Sequence, residues 1–101
     1  MKKIIVRFAD VAVDSLQRVM CCGEQSIPLA PAELRIMLCL VSAAGSVVEH
    51  AVLERAGWGR RAAVTRSALE VTLHRLRKKL VTVGALIRIL NIRGVGFLLV
   101  T

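Results

Sequence analysis

Residues 67–80 read SALEVTLHRLRKKL and residues 87–100 read IRILNIRGVGFLLV; together they decide the fold. If the first stretch is helical, each residue advances by about 100°, which gathers Leu69, Leu73, Leu76 and Leu80 into one narrow sector. That sector is the expected buried face of a helix from Ser67 to about Leu80. Its start has two candidates, because Ser67 followed by Glu70 has the capping-box pattern while Thr65 can cap instead. In the second stretch, Ile87 to Ile92 and Phe97 to Val100 are apolar and rich in β-branched residues. The intervening Arg93-Gly94-Val95-Gly96 supplies the flexible positions of a hairpin tip or bulge. No helix follows this Gly-x-Gly, so it is not a dinucleotide-binding turn.

Upstream, the chain opens with short strand patterns at Ile4 to Phe8, Val11 to Val13 and Gln17 to Cys21. Asp14-Ser15 and Cys22-Gly23-Glu24 supply turn chemistry between them. Ile27 and Leu29 flank Pro28, which suits an edge strand because proline has no N–H for a ladder. Pro31 then stands where a helix tolerates it best, with Glu33 near the positive end of the helix dipole. Leu34, Met37, Leu38 and Val41 follow helical spacing, giving a first helix to about Ala43 behind a weak cap, Ala30. Gly45 breaks the pattern. A second short helix is expected from Val47 to Ala56, stopped by Gly57 and Gly59 around Trp58, a packing anchor. Residues 57–66 form a loop rich in glycine and arginine.

Composition narrows the function classes. The chain has 101 residues, 55% of them hydrophobic, enough for one core and a single domain over 1–101. Within it, 4–29 is the expected sheet, 31–80 a three-helix core and 87–100 a hairpin. The longest apolar run, Ile36 to Val41, is far short of the roughly 20 residues of a membrane span, so a cytoplasmic protein without membrane contact is expected. Cys21, Cys22 and Cys39 match neither a disulfide framework nor a metal spacing and are read as reduced, structural thiols. The aromatic content of 3% is too low for a base-stacking platform.

Charge is lopsided. Residues 1–54 carry five basic and six acidic groups, whereas residues 55–101 carry ten basic and one acidic group. The second half would concentrate a polyanion and bind it with strong salt dependence; duplex DNA, RNA and an anionic membrane all qualify on charge alone.

The helix narrows the choice. Opposite its leucine sector lie Ser67, Val71, His74, Arg75 and Lys78, with Arg77 and Lys79 on the two flanks. Basic residues near a helix C-terminus also complement its dipole, as on any solvated face. Val71, however, is an apolar β-branched residue in the middle of that polar face. In a major groove its methyls can meet a thymine methyl, and Arg75 one turn on can fork onto guanine O6 and N7. His74, Arg77 and Lys78 are then expected at phosphates. No second ligand or base accompanies His74 at a useful spacing, and no nucleophile and base pair can be assembled, so no metal, cofactor or enzymatic activity is expected. Arg93, at the hairpin tip, can enter a narrow minor groove or simply sit on a turn.

In order and motif the chain resembles the winged-helix effector domain of OmpR/PhoB-type response regulators, the DNA-binding output units of bacterial two-component systems. The carrying segments are Phe8 to Asp14, Leu29 to Glu33, Val47-Val48 with Trp58, Ala68 to Val71 with His74 to Leu80, and Ile92 to Phe97. The resemblance implies an α+β fold: a winged helix-turn-helix with an N-terminal antiparallel sheet, three helices and a C-terminal β-hairpin wing. It implies that Ser67 to Leu80 is the recognition helix, with Val71, Arg75 and Thr72 toward bases. Arg66, Ser67, His74, Arg77 and Lys78 fall toward the DNA backbone, and Arg93 with Asn91 on the minor-groove wing. It also implies a homodimer on tandem half-sites and RNA polymerase as a partner.

Departures from the family are specific. Ala30 and Glu49 replace the usual helix-capping Thr and Ser or Thr, Thr72 stands where His is frequent, and Asn91 where Thr is frequent. The loop after Trp58, commonly acidic, carries Arg60, Arg61 and Arg66, so its arginines are read as touching either polymerase or phosphate. The sequence opens directly on the sheet, which leaves two expectations open: a stand-alone domain or a piece cut from a longer protein. The expected function is sequence-specific binding of double-stranded DNA in transcription regulation. The alternative is a winged-helix interaction module for RNA polymerase, a sigma factor or another regulator.

Overall fold

The computed structural model describes residues 3–60 and 64–101. Four strands, β1 (Ile5–Phe8), β2 (Val11–Asp14), β3 (Val19–Cys22) and β4 (Gln25–Pro28), form an antiparallel sheet in sequence order. Phe8 faces Val11, Val13 faces Met20, and Pro28 lies opposite Val19 on the edge strand. Val11, Val13 and Met20 are fully buried on the face toward the helices. The third strand starts at Val19 rather than Gln17. The Asp14 carboxylate accepts the Leu16 and Gln17 N–H groups at 2.9 and 3.0 Å, holding residues 15–18 in a turn. Those hydrogen bonds, the one from Gln17 first, hold the Asp14 carboxyl below its usual range, with Lys3 assisting.

Helix α1 (Pro31–Ser42) begins behind Ala30, which has no side-chain cap. Glu33 makes up half of the deficit from inside the helix: its Oε1 accepts the Ala30 N–H at 2.8 Å. Val48–Glu49, expected to open the second helix, form instead a short strand, β5, and α2 runs over His50–Trp58. The cause lies at the far end of the chain. Val48 pairs with Phe97 and Glu49 with Gly96, which draws those two residues into a second sheet. That sheet has the order β5-β7-β6, where β6 is Arg88–Ile92 and β7 is Gly96–Val100. Gly57 does not stop α2 but lies inside it, where a Cβ would stand 3.0 Å from Cδ1 of Ile36; the stop falls at Gly59.

Helix α3 spans Arg66–Thr82 and is capped by Thr65, whose Oγ1 accepts the Ala68 N–H at 3.2 Å. Ser67 is therefore within the first turn. The helix outlasts its apolar period by two residues because Val81 and Thr82 continue the ladder on the solvent side. Leu69, Leu73, Leu76 and Leu80 are buried as the spacing predicts. They join Ile36, Met37, Leu40, Leu53, Ile87 and Leu99 in one core roofed by the N-terminal sheet.

Candidate nucleic-acid interface

The leucine sector of α3 fixes which side chains point outward. Ser67, Val71, His74, Arg75 and Lys78 are all exposed on the opposite face. Val71 retains 48% of its surface, alongside two other exposed helical valines, Val52 of α2 at 43% and Val81 near the end of α3 at 79%. Val71, with Trp58, Thr65 and Arg75, lines a shallow depression of about 440 Å³ at the front of the helix. Trp58 is half-buried and packs against the core, as expected of an anchor.

Three residues of the basic and polar set are turned elsewhere. Thr72, expected among the base-facing residues, is buried at 7% exposure, and its Oγ1 donates to the Ala68 carbonyl at 3.0 Å. It lies between the core sector and the outward face, at the floor of the depression that Val71 and Arg75 line, and its hydroxyl satisfies the helix backbone. Arg77, expected at a phosphate, donates from Nε and Nη2 to the Ile89 carbonyl at 3.1 and 2.9 Å, with its guanidinium 6.0 Å from the Phe97 ring centroid. Lys79, on the other flank, donates to Glu33 Oε1 at 2.6 Å and to the Pro28 carbonyl at 2.8 Å. It neutralises the buried Glu33, which anchors α3 to α1.

Arg66 remains exposed at the head of α3 but donates from Nε to Glu54 Oε2 of α2 at 3.0 Å. Arg60 is exposed in the preceding loop, whereas Arg61 lies outside the described residues. At the other end, Asn91 and Arg93 are both exposed on the β6–β7 hairpin, Arg93 at its tip. Besides its pairing with β5 and the His50 N–H on the Val95 carbonyl, two side-chain contacts hold that hairpin. Asp10 Oδ2 accepts the Leu86 N–H at 2.7 Å, and this bond is the first cause of a lowered Asp10 carboxyl pKa. The second is the Arg77 contact on Ile89.

One contact had no sequence signal: Arg35 donates from Nε and Nη2 to the Gly57 carbonyl and closes the C-terminal end of α2 against α1. Nothing in the local pattern separates Arg35 from an ordinary surface arginine. Cys21, Cys22 and Cys39 are free thiols; burial pushes the Cys22 and Cys39 thiols up. Among the described residues, no helix is long and apolar enough to cross a membrane.

A four-stranded sheet, three helices with an outward basic face on the third, and a terminal hairpin define the winged helix-turn-helix class. Within it, the chain belongs to the family described as transcriptional regulatory protein, C terminal, whose model matches residues 23–99. It is an OmpR/PhoB-type DNA-binding domain of transcription regulators.

The chain is similar to the KDP operon transcriptional regulatory protein KdpE of Escherichia coli (strain K12). The two are 36% identical over 76 residues, which is 75% of this chain and 34% of that protein. Among solved structures it is similar to the C-terminal domain of the nisin resistance regulator NsrR, a lantibiotic response regulator. That match has a TM-score of 0.77 and 28% identity, covering 93% of this chain and 94% of the other. It is also similar to the Klebsiella pneumoniae RstA DNA-binding domain, solved in complex with the RstA box. Here the TM-score is 0.74 and the identity 25%, with 97% and 96% covered. The chain spans between 34% and 42% of the length of the curated relatives it matches.

Proposed function

We propose that this domain binds double-stranded DNA sequence-specifically, with α3 in the major groove and the wing in the adjacent minor groove. The observation that carries this is the exposed face of α3, where Val71 and Arg75 stand one turn apart beside His74 and Lys78. What supports the reading is the pairing of the two: a thymine methyl beside a guanine gives Val71 and Arg75 each a partner. His74, Lys78 and Ser67 take backbone positions, and Arg93, with Asn91, takes the minor groove, where negative potential is deepest. The Thr72 hydroxyl and the Nε and Nη2 donors of Arg77 serve the fold, so the reading does not rest on these two residues for its base and phosphate contacts.

The RstA domain in complex with its box supports duplex DNA as the ligand. Two copies on tandem half-sites, a cytoplasmic location and contact between the α2–α3 connection and RNA polymerase belong to the same proposal. Selection of bound duplexes from a random pool at two salt concentrations tests it. A recovered consensus at both concentrations is expected. A pool that stays random, with binding that vanishes uniformly as salt rises, would leave only a nonspecific polyanion binder.

A further inference from the structure

We propose that Arg77 is a positioning residue that sets the wing against the recognition helix, acting on DNA through Arg93 and not through a phosphate of its own. The inference rests on the assignment of Arg93 to the minor groove. Arg77 leaves α3 on the flank between its buried and outward faces and gives both Nε and Nη2 to one acceptor, the Ile89 carbonyl on β6. β6 is an edge strand, paired only with β7, and an edge presents backbone groups without ladder partners.

The same guanidinium lies 6.0 Å from the Phe97 ring centroid, and Phe97 is a β7 residue with 3% exposure whose other neighbours are fixed. The His50 ring packs edge-on against it at 5.4 Å, and Val48 is its strand partner. One side chain therefore ties the middle of the helix to both strands of the hairpin. Asp10 holds the entry to β6 through Leu86, and on the β7 side the hairpin is held by β5 and by the His50 N–H, which donates to the Val95 carbonyl at 3.3 Å; Arg77 is the contact on the β6 edge, while Arg93 and Gly94 stay exposed at the tip. A guanidinium that grips a carbonyl from two donors beside an aromatic ring cannot be replaced by lysine, whereas a plain phosphate contact can.

The test is titration of R77K, R77Q, R93A and the R77K/R93A double variant against a duplex selected by the unaltered domain, at several salt concentrations. Amide hydrogen exchange is followed on the same proteins, and thermal unfolding confirms that each is folded. R77K is expected to lose affinity as R77Q does, about tenfold, and to cost less than about twofold in the R93A background. Amides of the hairpin should exchange faster in R77K while those of the N-terminal sheet do not.

If R77K binds like the unaltered domain and R77Q lowers the salt slope by about one unit, Arg77 is a phosphate contact and the proposal falls. Full additivity of R77K with R93A overturns it as well. If R93A alone binds normally, the minor-groove assignment has failed. Exchange then decides for Arg77: faster hairpin exchange in R77K sustains its positioning role, and unchanged exchange ends it.

Discussion

Gly96 lies directly against the backbone of Val48: a Cβ on Gly96 would run into the Val48 carbonyl oxygen and stand 2.7 Å from the carbonyl carbon. The close approach lets β5 pair with β7 and closes the wing sheet onto the helical core. Because the obstacle is backbone and not a flexible side chain, G96A should destabilise the domain by about 3 kcal/mol, the upper end for overpacking. Urea unfolding measures the loss; a cost under 0.5 kcal/mol would show that the two strands can separate freely.

The Lys79–Glu33 pair, at 2.6 Å, leaves Glu33 with 5% and Lys79 with 25% side-chain exposure. K79A strands a buried carboxylate. The expected cost is about 2 kcal/mol, below the ~3–5 kcal/mol of a fully buried pair because Lys79 is partly solvated. DNA binding by the folded fraction should keep its salt slope, since Lys79 faces α1. A lowered slope in K79A would return Lys79 to the DNA contacts.

Thr65, and not Ser67, caps the recognition helix. T65A should therefore cost about 1 kcal/mol while S67A stays within about 0.5 kcal/mol in chemical denaturation. The reverse order would place the cap at Ser67.

How much of this was legible depends on where the deciding partner stands. Leu69, Leu73, Leu76 and Leu80 declare the buried face of α3 through their own spacing, and Arg93-Gly94-Val95-Gly96 declares the hairpin tip. Val48 and Glu49 do not declare a strand, because two residues become β5 only when Gly96 and Phe97 arrive from the other end of the chain. Arg77, Lys78 and Lys79 are equivalent as sequence, three cations in a row. They part company over what lies opposite each one: the Ile89 carbonyl, solvent and Glu33. Thr72 is placed toward bases by the family resemblance and not by its position on the helix, and its hydroxyl is taken by the Ala68 carbonyl one turn back.

The Asp14 carboxyl, held low by the Gln17 and Leu16 N–H groups, links folding to pH. A depressed folded-state value gives stability that is present above the unfolded pKa, about 3.9, and is lost as pH falls through the lowered folded value. D14N removes that linkage. Its stability should change less than that of the unaltered domain between pH 5 and pH 2, followed by circular dichroism under urea. Identical acid profiles would exclude Asp14 as a contributor.

The central claim, that the outward face of α3 reads bases, is tested most directly by the affinity ratio between a selected duplex and a random duplex in R75A and in K78A. R75A should lower the ratio by about 1–3 kcal/mol while leaving random-sequence binding nearly intact. K78A should weaken both duplexes alike and reduce the salt slope by about one unit. Equal losses on both duplexes in R75A would contradict base reading by this helix.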